Sequence, residues 1–217
     1  IRDRYIKGGI IISYRVCVYA ICKNESQFVD RFMDSMSEAD YVCVLDTGSS
    51  DDTVKKLRAR GAIVGETVVS PWRFDTARNE SLGLIPADAD ICCAIDLDEQ
   101  FHPGWRAALE RAWQPDTTRA RYRYTWSFRP DGSEGMVFWA DKIHKNGCYR
   151  WASPVHETLA YTGEGAERFV DAAGVQLDHH PDETKSRGQY LPLLELAVRE
   201  DPQNDRNCHY LGREYMF

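Results

Sequence analysis

Asp96 and Asp98 stand two positions apart, directly after the apolar run at residues 91–95 (ICCAI). On an extended chain, residues i and i+2 point to one side, so a strand ending here delivers both carboxylates to one place. Carboxylate oxygens are hard ligands suited to Mg2+ or Mn2+. An ion held between them and a diphosphate would neutralise the charge that develops on a departing nucleoside diphosphate. An acidic loop or a cluster at a helix start has the same composition; the position at the rim of an apolar strand favours the metal reading.

Two further segments carry chemistry. Residues 46–53 (DTGSSDDT) follow a second apolar run and include a glycine, Gly48, that allows backbone conformations other residues resist. Ser50 or Asp51 can cap the helix that follows, whose start favours anions. Asp46, at the strand end, is placed to accept hydrogen bonds from a base or a ribose. Residues 151–157 (WASPVHE) join an aromatic side chain to a His-Glu pair. Glu157 is the candidate general base for an acceptor proton, with a salt bridge to Arg150 as the structural alternative. His156 is read as orienting Glu157 or touching the substrate. Trp151, beside them, is the tryptophan expected to wall the acceptor or donor site.

The elements that must position these groups follow from periodicity. Apolar, β-branched runs at residues 15–21, 41–45, 62–69 and 91–95 read as strands. Helical spacing appears at residues 27–36, 54–60, 76–84 and 105–113. Strand-like alternation returns at residues 121–128, 136–143 and 170–179. This order predicts an α/β fold with a Rossmann-like, mostly parallel central sheet flanked by helices. In such sheets ligands bind beyond the C-terminal strand ends, and the polar clusters fall there. From residue 185 two helical segments, 190–199 and 207–216, form a short helical tail whose cadence resembles the start of a tetratricopeptide repeat. A solenoid needs about three repeats, so the tail is either a clasp on the main domain or the stub of an array. The expected organisation is a catalytic domain over 1–184 and the tail over 185–217.

Composition sets the outer bounds. The sequence has 217 residues, 43% hydrophobic and 28% charged, enough for one α/β domain with a small appendage. A formal net charge of -7 makes nucleic acid an unfavoured partner unless a local basic groove exists. No run approaches the ~18 apolar residues of a membrane span, and residues 8–12 are too short for a signal-peptide core. The seven cysteines include no CxxC pair, which points to reduced, buried thiols and a cytoplasmic protein.

The runs VYAICKNES, VLDTGSSDDT, FDTARNESL and IDLDE, in that order within about residues 15–180, resemble glycosyltransferase family 2. With VHE, a late histidine and the tail, the chain looks most like the bacterial and phage branch fused to tetratricopeptide repeats. The resemblance implies a GT-A fold, a nucleotide-diphosphate sugar donor (typically a UDP-sugar), Mn2+ or Mg2+, and inversion of the anomeric centre. It implies that Glu25 lies near the nucleotide and that Asp46 bonds the base, uracil. Arg78 and Asp75 would approach the nucleotide or its diphosphate. Asp96 would contact ribose or metal, Asp98 would ligate the metal, and His179, preferred over His180, would complete the site. Glu157 would be the base, although many members carry Glu-Asp where this chain has His156-Glu157. The acceptor would be a protein, a glycan or another polymer, a modified phage nucleobase included. Two rival readings are nucleotidyl transfer, which usually brings a Gly-rich, basic loop where this chain has CKNES, and a non-catalytic nucleotide-sugar-binding module, against which the intact Asp96, Asp98 and Glu157 argue.

Overall fold

The computed structural model describes residues 5–7, 10–12, 14–182, 188 and 190–216. In chain order the strands are β1 (Tyr5–Lys7), β2 (Ile10–Ile12), β3 (Val16–Cys22), β4 (Tyr41–Asp46), β5 (Ile63–Glu66), β6 (Ile91–Ala94), β7 (Glu99–Phe101), β8 (Arg119–Thr125), β9 (Val137–Lys145), β10 (Tyr149–Ala152), β11 (Thr158–Tyr161) and β12 (Phe169–His179). The helices are α1 (Val29–Ser35), α2 (Thr53–Ala59), α3 (Phe74–Leu82), α4 (Trp105–Ala112), α5 (Tyr190–Glu200) and α6 (Asp205–Met216).

Eight strands form one sheet in the order β5-β4-β3-β6-β9-β8-β12-β7, with β1-β2 and β10-β11 as separate antiparallel pairs. The sheet is mixed. β5, β4, β3 and β6 run parallel, as β12 does to β8. β9 runs antiparallel to both of its neighbours and β7 antiparallel to β12. The α/β architecture expected from the sequence, a central sheet flanked by helices with a helical tail, is the one observed. The strand pairs β1-β2 and β10-β11 and the three-residue β7 were not expected.

The strand β3 shows why the sheet forms where it does. Successive side chains alternate faces: Val16, Val18 and Ala20 join the core beneath α1, α2 and α4, whereas Cys17 and Tyr19 join a second core with Tyr149, Trp151 and Leu159. A strand buried on both sides must be apolar throughout, which is how VCVYAIC reads. Of the seven cysteines, all free thiols, five are buried as expected, whereas Cys148 is half-buried and Cys208 is exposed.

The tail packs on the main body. Leu193 and Leu194 of α5 meet Val155, with Trp72, Phe74, Tyr190, Tyr210 and Leu211 around them. Arg73 clamps this contact, donating to Asp75 at 2.8 Å and to Glu200 of α5 at 2.5 Å. The expected domain boundary at 184/185 lies outside the described residues.

Candidate active site

The C-terminal ends of β3, β4 and β6 open onto one cleft of about 920 Å³, within the range of small-molecule sites. Asn24 and Glu25 follow β3, Thr47 follows β4, and Asp96 and Asp98 follow β6. The parallel strands deliver these residues together because their C-terminal ends share one sheet edge. Arg78 from α3, Lys142 from β9, Tyr124 from β8 and His179 from β12 complete the wall, with Trp72, Phe74 and Tyr190 at the tail side.

The two aspartates do different things. Asp98 Oδ2 lies 3.4 Å from His179 Nε2. The other ring nitrogen, Nδ1, donates to the Trp126 carbonyl at 3.0 Å. That bond orients the ring and turns Nε2 towards Asp98, leaving it as the nitrogen a metal ion could take. Burial pushes the imidazole down and the Asp98 carboxylate pushes it up; the net shift is upward. His180 is elsewhere, its ring stacked on Phe128 at 5.2 Å. Among the described residues no group of three or more His, Cys, Asp or Glu side chains gathers as a metal cage. Asp98 and His179 could offer a divalent ion two ligands, and a hard cation would need its remaining oxygen ligands from outside the chain. That donor set fits Mn2+ or Mg2+.

Asp96, expected at the metal or ribose, is committed to cations. Its Oδ1 accepts from Arg78 Nη2 at 2.6 Å, and its Oδ2 lies 3.6 Å from Lys142 Nζ. Burial would raise the Asp96 carboxyl, but Arg78 and Lys142 outweigh burial and hold it well below the usual carboxylate range. Arg78 is the hub. Its Nε donates to Glu157 Oε1 at 2.9 Å, and its guanidinium sits 5.2 Å over the Trp151 ring. Its Nη1 is buried with no partner. A buried guanidinium N–H without an acceptor is costly, and a diphosphate oxygen in the cleft is the acceptor its charge and fork geometry suit.

Several expected residues stand differently from their sequence reading. Glu157 pairs with Arg78, not Arg150. Asp46 is turned into its own loop, where Oδ1 accepts from the Gly48 and Ser49 amides at 2.9 and 2.8 Å and Oδ2 from the Ser49 hydroxyl; the neighbouring Thr47 and Glu25 line the cleft in its place. Asp51, not Ser50, serves the start of α2, accepting from the Thr53 amide at 2.9 Å. Asp75 holds Arg73 for the tail contact rather than facing the nucleotide space. His156 stacks on Tyr210 of α6 with ring centroids 4.0 Å apart, and Arg206 donates to its carbonyl. Trp151, expected as a sugar wall, is a core residue. Its indole N–H donates to the Tyr19 hydroxyl at 3.0 Å, and only the ring's π face, beneath Arg78, serves the site.

Glu99, Tyr124 and Lys142 line the cleft without a role assigned to them from sequence. Glu99 is 2% exposed; burial raises its carboxyl, and it accepts from the Tyr124 hydroxyl at 2.6 Å and the Asp96 amide at 2.8 Å. Lys142 lies within β9, VFWADKIHK, which carries a second lysine at Lys145, so no local signal sets it apart. Burial pushes its ammonium down, and Asp96 and Glu99 push it up further than that.

No family model matches the sequence. Among solved structures, the chain is similar to glucosyl-3-phosphoglycerate synthase from Mycobacterium tuberculosis in complex with Mn2+, UDP and glucosyl-3-phosphoglycerate, with 23% identity and a TM-score of 0.40 over 51% of this chain and 44% of that one. The same enzyme with Mn2+, UDP-glucose and phosphoglyceric acid aligns with the same identity, TM-score and coverage. This chain thus spans less than half the length of those structures. A mycobacterial protein aligns over 83% of this chain and 71% of its own, with 15% identity and a TM-score of 0.53. That broader likeness is one of fold.

Proposed function

We propose that the chain is a metal-dependent, inverting glycosyltransferase of the GT-A type, taking a sugar from a UDP-sugar to an acceptor hydroxyl. The observation that carries this reading is the unpartnered, buried Nη1 of Arg78, in a cleft that also presents the Asp98–His179 pair. The four ordered sequence blocks around Glu25, Asp46, Arg78 and Asp96 support it. Glu25 and Thr47 are assigned to the base and ribose end, with Asp46 holding the loop that carries Thr47.

In the proposed reaction the acceptor oxygen attacks the anomeric carbon from the face opposite the diphosphate. The new C–O bond forms as the bond from that carbon to the diphosphate oxygen breaks, and the bonding pair leaves with UDP. Arg78 and Lys142 are assigned to the diphosphate, where fixed positive charge in a partly dry site stabilises the leaving group. Asp96 keeps both cations in place. Asp98 and His179 would hold Mn2+ or Mg2+, which when bound supplies further charge neutralisation to the leaving diphosphate.

The acceptor proton is assigned to Glu157. Two carboxylates neighbour Asp96 through bonds, Glu99 and Glu157. Both oxygens of Glu99 are occupied by donors, whereas Glu157 is held by Arg78 through Oε1. The bond to Arg78 orients the Glu157 carboxylate, and a positioned carboxylate is the group a general base requires.

Release of UDP from a panel of UDP-sugars with Mn2+, scored against free saccharides and peptides as acceptors, tests the function. Asp98→Ala is expected to lower turnover by roughly 100-fold or more while the melting temperature stays near wild type. Unchanged turnover in Asp98→Ala with a chelator present would defeat the metal role.

A further inference from the structure

Eleven large hydrophobic side chains are exposed among the described residues, and six of them lie between residues 126 and 139: Trp126, Phe128, Met136, Val137, Phe138 and Trp139. Exposed apolar surface gathered in one place marks a binding surface more often than chance. This surface is stiff. β8 and β9 are joined by a turn in which Trp126 donates its amide to the Met136 carbonyl at 2.9 Å and Gly135 to Ser127 at 2.8 Å, and Phe128 bridges to Glu134.

Strand alternation splits the patch. Phe138 pairs with Tyr124 and Trp139 with Arg123, so Phe138 and Trp139 stand on opposite faces of the sheet. The Phe138 ring packs 5.1 Å from Tyr124 and 6.5 Å from Trp126. Tyr124 and Trp126 line the cleft, and Trp126 also stacks on His179 at 4.5 Å. On one face, therefore, a shelf of two half-exposed rings runs straight into the cleft.

We propose that Trp126 and Phe138 form the acceptor subsite and that the acceptor is a carbohydrate. The inference rests on the glycosyltransferase reading. A pyranose has an apolar face of C–H bonds and a rim of hydroxyls. The C–H face packs on flat aromatic rings, and the rim needs charged and polar partners. Here the rings end beside Asp98, Glu99 and Lys142. A lipid chain would need the apolar surface to continue where these charges stand. An extended peptide would add along a strand edge, whereas Trp126 and Phe138 present their rings from a face of the sheet, beside Tyr124 of β8. Preformed rings also bind with little ordering cost.

Saturation-transfer NMR with glucose, galactose, N-acetylglucosamine and their disaccharides, in the presence of UDP and Mn2+, tests the subsite, with calorimetry of UDP in parallel. At least one saccharide is expected to bind. Phe138→Ala should weaken its affinity about tenfold or more, Phe138→Trp should retain it, and Trp139→Ala, altering the opposite face, should leave it unchanged. UDP affinity should be the same in all three variants. The inference is overturned if no saccharide binds, if Phe138→Ala binds as wild type, if Trp139→Ala weakens binding equally, or if a peptide or a lipid vesicle binds through Phe138 instead. Loss of UDP binding in the wild type would remove the donor reading separately, with the saccharide measurement still readable.

Discussion

Arg78 and His144 are both buried, and their surroundings settle their charges in opposite ways. Burial lowers the pKa of Arg78, but the carboxylates of Asp96 and Glu157 raise it further, so the guanidinium stays charged. His144 has no such partner. Burial pushes its imidazole down to about 4, and its Nε2 is bonded to the Tyr19 hydroxyl at 2.8 Å. The neutral ring thus joins a chain from Trp151 through Tyr19 to the Lys145 carbonyl. The consequence for stability has a definite sign. Between the unfolded pKa of 6.5 and about 4 the unfolded chain binds the proton and the folded one does not, so stability falls as pH falls through that window. The full drop is roughly 3 kcal/mol. Urea titrations from pH 7.5 to 4 should show a slope that His144→Gln flattens. Asp98 and His179, which the fold brings within 3.4 Å of each other, were singled out in the sequence because both are potential metal-binding types at strand ends. Lys142 was not, because nothing local distinguishes a lysine facing a cleft from one facing water. Trp151 was misread for a related reason: a tryptophan beside a polar motif looks the same whether its ring meets substrate or the underside of an arginine.

Elements were legible in proportion to their burial. β3, β4 and β6 are buried on both faces and announce themselves as unbroken apolar runs. β9 is exposed at its first three residues, half-buried at the next three and buried only at Ile143 and His144, and its direction depends on partners far away in sequence. β7 has three residues and β10 four, too few for a period to show. The tail helices were legible from spacing, but their docking on residues 72–74 and 155 was not, since the contact is made between distant segments. Leu194 is 1% exposed in that contact. Leu194→Ala should cost about 2–5 kcal/mol, read by denaturant unfolding. Because Tyr190 and Phe74 line the cleft and belong to the same cluster, it should also weaken UDP binding, whereas an exposed change on α6 such as Glu214→Ala should do neither.

At the scale of the whole molecule the charge is unfavourable for a nucleotide. The net charge is -7, and the cleft repeats the imbalance, with Glu25, Asp96, Asp98, Glu99 and Asp182 against Lys23, Arg78 and Lys142. A diphosphate entering alone meets more negative than positive charge, so UDP affinity should depend on a divalent ion. UDP with Mn2+ at about 100 times its dissociation constant should stabilise the fold by about 2.7 kcal/mol and raise the melting temperature by roughly 5–10 °C. UDP with chelator should do so far less. Equal shifts with and without the ion would refute this electrostatic account.

The cleft draws its walls from Ile21 at one end of the chain to Tyr190 near the other. During synthesis, the strands up to β6 emerge long before β9 threads between β6 and β8 and before α5 arrives. A ribosome-bound chain that has already built half its sheet therefore still lacks Lys142, His179 and Tyr190. Such a chain presents Glu25, Thr47 and Arg78 but not the residues that close the cleft, so tight nucleotide binding should wait for the last strands and for α5.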